Sequence, residues 1–189
     1  MPGWAWAVIV VGALVVLGAV ALAATRARRS RTLRERFGPE YNRAVNSTAD
    51  KREAESELAA RAERRDNLDI RPLSPEARER YLDEWQQVQA RFVDDPQGAV
   101  HDADKLIQSA MAERGYPVDD FEQRAADVSV DHPRVVENYR EGHRLTVSDG
   151  STEDLRLAMR HYRALFTELV DEPADAPLGR DRVDEEVRR

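Results

Sequence analysis

The feature that most constrains this chain is a run of 22 residues without a charge, from Gly3 to Ala24 (GWAWAVIVVGALVVLGAVALAA), near the start of a 189-residue sequence. As a helix the run extends roughly 33 Å, and the hydrocarbon core of a bilayer is about 30 Å thick. Trp4 and Trp6 stand at one end, where amphipathic rings favour the headgroup layer. Arg26, Arg28, Arg29 and Arg31 stand at the other. Positive charge is retained on the cytoplasmic side. Residues 1–25 are therefore expected to form a single-pass transmembrane anchor, with the N-terminus outside and the remainder in the cytoplasm.

The competing reading is a cleaved signal peptide and a secreted protein, because Ala21-Leu22-Ala23 fits an A-x-A cleavage site. Three observations oppose it. No Lys or Arg precedes the run, the run exceeds the usual apolar segment of about 7–15 residues, and the arginines that follow resist translocation. The run contains no GxxxG, so dimerisation through it has only Gly12, Gly18, Ala19 and Ala23 to draw on.

Charge is segregated along the chain. Residues 26–45 hold seven Arg and two acids, a balance of +5, and the total of −7 leaves −12 for residues 46–189. Residues 26–38 form a basic collar that sets topology and is suited to anionic lipid headgroups, at about 1 kcal/mol per basic residue near the surface. Arg26, Arg28, Arg29 and Arg31 are the candidate contacts. Nucleic acid is not expected as a partner, since phosphate binding requires a basic footprint on the folded module and the remaining chain is acidic. Arg outnumbers Lys 27 to 2, and with abundant Ala and Val this codon usage points to a GC-rich bacterial source.

Beyond the collar the sequence reads as helical throughout. Gly38-Pro39 breaks the chain, with Pro39 suited to the first position of a new helix. Residues 39–68 are expected to be a largely exposed helical spacer. Leu33, Phe37, Tyr41 and Val45 step by four, but residues 46–57 contain no large apolar residue, and a heptad continued from Tyr41 places Thr48, Arg52 and Glu55 where a coiled coil needs apolar groups. A module over 69–170 follows. Ser74 and Pro75 open a helix with Tyr81, Trp85, Val88 and Phe92 at helical spacing, and Asp94-Asp95-Pro96 opens the next, with Leu106, Ile107, Ala110 and Met111 as its stripe. Gly115 stops that helix. Asp119 or Asp120 opens a short one, Asp131 with Pro133 another, and Ser151–Asp154 a last one carrying Leu155, Met159, Tyr162, Phe166 and Leu169. No stretch alternates long enough for a strand. The fold class expected is all-α, with one N-terminal transmembrane helix, the spacer and a small multi-helix bundle. Residues 171–189 are expected to be a disordered tail.

The segments LRERFGPEYNRAV, DIRPLSPEARERYLDEWQQVQARFVDDPQGAV, RGYPVDDFEQRAADVSVDHPRVVENYR and STEDLRLAMRHYRALF together resemble a family of uncharacterised small bacterial proteins with an N-terminal membrane segment and a helical soluble module. The resemblance covers about residues 33–169. It implies a membrane or secreted location, and it brings no activity or site residues.

Candidate chemistry is sparse. Cysteine is absent, which removes disulfides, thiolate metal sites and a cysteine nucleophile. His101, His132, His143 and His161 form no HExxH and no i, i+4 pair. Gly-rich phosphate loops and the GxSxG elbow are missing. No metal, cofactor or catalytic residue is expected, and the chain is read as a non-enzyme. His143 extends an apolar face as a core residue, and His132 belongs to helix capping beside Asp131. The alternative is an enzyme with a site near Asp131, His132 and His143. Residues 116–133 carry Asp119, Asp120, Glu122, Asp127 and Asp131 against Arg124 alone, a balance of −4. These acids cap and solvate helices, or form a docking surface for a basic protein partner. The function expected is a membrane-tethered helical interaction module.

Overall fold

A computed structural model describes residues 3–147 and 151–171, with side chains for residues 12 and 14 and from 16 onward. The chain is all-α: eight helices and, among the described residues, no strand. It divides into two compact units, Met1–Ser56 and Glu57–Arg189, and the division falls within one helix.

In the first unit, α1 (Gly3–Phe37) is one helix of 35 residues. It carries the uncharged run through the arginine collar without a break. Among the described residues no helix is long and apolar enough to cross a membrane; half of the side chains in the uncharged run lie outside that set. By length and apolarity, the described residues therefore do not support the expected transmembrane span. Gly38 ends α1 at φ 47°, a conformation that L side chains rarely adopt, and its N–H reaches back to the Arg34 carbonyl at 2.9 Å. Pro39 then occupies the first turn of α2 (Pro39–Ser47).

The spacer expected over 39–68 is helical, but it is two helices rather than one continuous one. Thr48 is extended, and α3 (Lys51–Asp66) begins after a break. Asp50 accepts from the Arg52 N–H at 2.8 Å, the local contact that lets Asp compete with a continuing helix. Leu33, Phe37, Tyr41, Ala44 and Ala54 are buried. Ala54, Leu58, Ala62 and Arg65 form the buried stripe of α3; it is too poor in large apolar groups to stand out in the sequence.

The second unit is a helical bundle. Its helices are α4 (Pro75–Arg91), α5 (Pro96–Arg114), α6 (Phe121–Asp131), α7 (Val136–Val147) and α8 (Thr152–Asp171), joined by the second half of α3. The caps fall where the sequence places them. Ser74 accepts from Ala77 N, Asp95 from Gly98 N and Asp120 from Gln123 N. Ser151 and Asp154 exchange hydrogen bonds at 2.8 and 3.3 Å. Gly115 ends α5 at φ 98°, and the Tyr116 N–H reaches the Met111 carbonyl at 2.9 Å, the six-to-one closure that a left-handed glycine permits.

α8 packs on α7 and α5, and α5 on α4. The core holds Tyr81, Trp85, Leu106, Ile107, Met111, Tyr139, Tyr162, Leu165 and Phe166. Trp85 stacks on Phe166 with ring centroids 4.4 Å apart. Arg114, at the end of α5, is 1% exposed. It donates to the carbonyls of Arg71 (3.2 Å) and Leu169 (3.0 Å), so one cation ties the 69–74 segment and the end of α8 to a helix C-terminus whose dipole favours it.

One helix boundary differs from expectation. Asp131 closes α6 rather than opening the next helix, and His132 is the C-cap of α6, with its N–H on the Val128 carbonyl at 2.8 Å. Pro133 follows the stop instead of starting a helix, a position as natural for proline as the first turn. The expected tail falls on residues 172–189, outside the described residues; Asp171 still belongs to α8.

Candidate functional site

The five acids proposed as one docking surface divide into two groups. Asp119, Asp120 and Glu122 are exposed where the chain enters α6. Asp127 and Asp131, one and two turns further on, face inward. Asp127 is 1% exposed and accepts from Gln123 Nε2 at 2.8 Å, with Arg64 Nε at 4.0 Å. Asp131 lies 2.7 Å from Arg65 Nε through each carboxylate oxygen and accepts from the Tyr116 hydroxyl at 2.6 Å. These two belong to the scaffold, and the surface is reduced to three residues.

Burial works against the Arg65 charge, but the Asp131 carboxylate outweighs it and holds the guanidinium firmly protonated. Burial, with the Asp131 charge behind it, pushes the Tyr116 phenol well above its ordinary range. Arg124 is buried under the loop that carries Asp119. It donates to Tyr139 Oη (3.1 Å) and to the carbonyls of Val118 (3.1 Å) and Asp119 (3.3 Å). Sequence reasoning missed Arg65, Arg114 and Arg124. Arg114 had a signal, since it falls four residues beyond Ala110 on the α5 stripe.

Asp131, His132 and His143 engage different partners. His132 Nδ1 sits 3.7 Å from the Glu168 carboxylate. His143 stacks on Phe121 at 3.7 Å between centroids, as expected of a residue on an apolar face. Burial lowers its pKa, against the nearby Asp104 charge. Among the described residues no three His, Asp or Glu side chains gather as a metal site.

The first unit holds a basic cleft that the sequence reading did not assemble. Arg26, Arg28, Arg29 and Arg31 are all exposed on α1, but residues three apart share a face while 26 and 28 do not. Arg26 and Arg29 line a cleft of about 370 Å³ together with Lys51, Arg52, Glu55 and Ser56 from α3. Arg28 and Arg31 are not among its lining residues, and Arg31 pairs with Glu35 at 2.9 Å. Glu55 is the cleft's one carboxylate. It accepts from Ser30 Oγ at 2.5 Å and Tyr41 Oη at 2.7 Å, with Lys51 Nζ at 3.5 Å. Burial raises its pKa, but those two hydroxyls and Lys51 outweigh burial and leave it lowered. Four cations therefore face one carboxylate that is already engaged. Among the described residues Arg26, Arg29 and Arg52 form no ion pair.

Comparison of the chain with protein-family models, curated proteins and solved structures gives no match.

Proposed function

We propose that this chain is a single-pass protein of a bacterial cell membrane, anchored through α1 with its N-terminus outside, and that its second unit is a non-catalytic, cytoplasmic protein-interaction module. One observation carries the reading. Leu14, Val16, Leu17, Val20 and Leu22 are each 58–64% exposed, and at about 100° per residue they point around the whole circumference of α1. A helix that is apolar on every side and uncovered by its own protein requires an apolar surrounding. The uncharged sequence from Gly3 supplies the length, the arginine collar supplies the orientation, and the resemblance to small bacterial membrane proteins agrees with both.

The exposed trio Asp119, Asp120 and Glu122, braced from beneath by Arg124, supports docking of a basic partner on a loop of fixed shape. Fusing a periplasm-active reporter after Arg189 tests the topology. The expected result is a membrane-fraction protein with a silent reporter. An active reporter, or a mature N-terminus near Ala24, refutes the topology and favours the secreted form.

A further inference from the structure

We propose that the cleft between α1 and α3 seats the phosphate of an anionic glycerophospholipid headgroup, held by Arg26 and Arg29 from one helix and Lys51 and Arg52 from the other. The assignment rests on the anchor reading above and makes it specific: the collar is a folded receptor for one headgroup rather than a diffuse basic belt.

The ligand class follows from the charges. Four cations line the cleft around a single carboxylate, whose Oε1 accepts from Ser30 and Tyr41 and lies 3.5 Å from Lys51 Nζ, so positive charge remains in excess. Among the described residues three of these cations, the guanidiniums of Arg26, Arg29 and Arg52, form no ion pair, and such planar forks match phosphate oxygens two at a time. The volume, about 370 Å³, is that of a small-ligand site and admits a phosphodiester with its polar substituent.

The source of the phosphate follows from height. α1 is continuous from Gly3 to Phe37, so depth is counted along it. Arg26 and Arg29 lie roughly 3 and 8 Å beyond Ala24 at about 1.5 Å per residue. The polar layer of a bilayer adds about 5–7 Å on each side of the hydrocarbon. If Gly3–Ala24 fills the hydrocarbon, the cleft opens at the level of the lipid phosphates. The same helix that sets the depth also supplies two of the four cations, and α3 closes the other side.

The cleft reading and simple collar electrostatics differ in one measurable way. Near a membrane surface each basic residue contributes about 1 kcal/mol whatever its face, so a diffuse belt loses the same affinity for any two charges removed. A cleft distinguishes Lys51 and Arg52, which line it, from Arg28 and Arg31, which do not. All four are exposed, so their replacement leaves the helices intact, and far-ultraviolet circular dichroism checks this.

The experiment uses the full chain in nanodiscs of phosphatidylcholine with a minor share of phosphatidylglycerol. Protein-bound lipid is counted by native mass spectrometry. The unmodified chain is expected to retain phosphatidylglycerol in preference to phosphatidylcholine. The Lys51→Gln/Arg52→Gln variant is expected to lose about tenfold more of that retention than the Arg28→Gln/Arg31→Gln variant, although both remove two charges. Inorganic phosphate is expected not to displace the lipid. Equal losses from the two variants overturn the cleft in favour of diffuse attraction. Displacement by inorganic phosphate overturns the lipid assignment in favour of a free anion. A chain that enters the nanodisc and retains no anionic lipid overturns the cleft alone, whereas a chain that never enters overturns the anchor and the cleft with it.

Discussion

Arg65 and Asp131, 66 positions apart, form a largely buried ion pair, the Arg65 Nε standing 2.7 Å from both carboxylate oxygens. Both side chains are close to one-tenth exposed. The pair joins α3 to the end of α6, and Tyr116 adds a hydroxyl from the loop after α5. Removing one partner leaves the other charge poorly solvated. Asp131→Asn is expected to destabilise the second unit by about 3 kcal/mol, and the joint replacement Arg65→Met/Asp131→Leu by clearly less, because a paired apolar substitution strands no charge. Urea midpoints at constant slope provide the measurement. A double variant no more stable than Asp131→Asn removes the pair from the account.

The acids around α6 divide by burial, and stability separates them. Asp127→Ala removes the acceptor of Gln123 and a neighbour of Arg64 at a buried position; its expected cost is about 1–3 kcal/mol. Asp119→Ala is an exposed change expected within about 0.5 kcal/mol. Asp120→Asn keeps a good helix cap and is expected to be similarly mild. A stability loss at Asp119 as large as at Asp127 contradicts the division into scaffold and surface.

His143 makes stability depend on pH. Burial against Phe121 holds its pKa below the ordinary 6.5, although Asp104 and Glu122 oppose the shift and Arg124 reinforces it. Between 6.5 and the lower folded pKa the unfolded chain binds more protons, so stability rises with pH. The contribution is complete above 6.5, erodes as pH falls through that window, and is gone below the folded value. Replacing His143→Phe is expected to flatten the slope in the window without altering it above pH 7. An imidazole midpoint at or above 6.5 by NMR titration contradicts the stack.

Much of the bundle was legible because its signals are local. Ser74, Asp95, Asp120 and Gly115 are caps whose side chains or φ values act within a single turn, and the stripes Tyr81–Trp85 and Leu106–Met111 are large enough to show their period. What escaped has long-range causes. Arg65 and Arg114 occupy core-facing positions yet read as polar, since the groups that accept their hydrogen bonds come from distant segments. The α2–α3 break was hidden because Asp50 sits in a polar stretch with no stripe to interrupt. Asp131-His132-Pro133 was ambiguous between a start and a stop, as proline is common at both. The basic cleft needed residues 26 and 29 to meet 51 and 52, a proximity that spacing along the chain does not encode.

The clearest test of the second unit's core is Trp85. Its ring is 4% exposed, stacked on Phe166 at 4.4 Å and 17°, so it joins α4 to α8. Truncation removes a large apolar surface and leaves a cavity between two helices that relax only partly. Trp85→Ala is therefore expected to cost about 3–5 kcal/mol. The indole N–H makes no hydrogen bond with the protein, so the ring contributes through packing rather than polarity. Trp85→Phe keeps a stacked ring and deletes that unsatisfied donor, whose burial itself carries a cost. It is expected to lose only about 1 kcal/mol, the residual being the volume difference. Denaturant unfolding followed by circular dichroism compares the two, because both variants lose the Trp85 fluorescence. If phenylalanine proves as damaging as alanine, the indole nitrogen has a partner that matters and the packing account of this site fails; if both are neutral, Trp85 is outside the core.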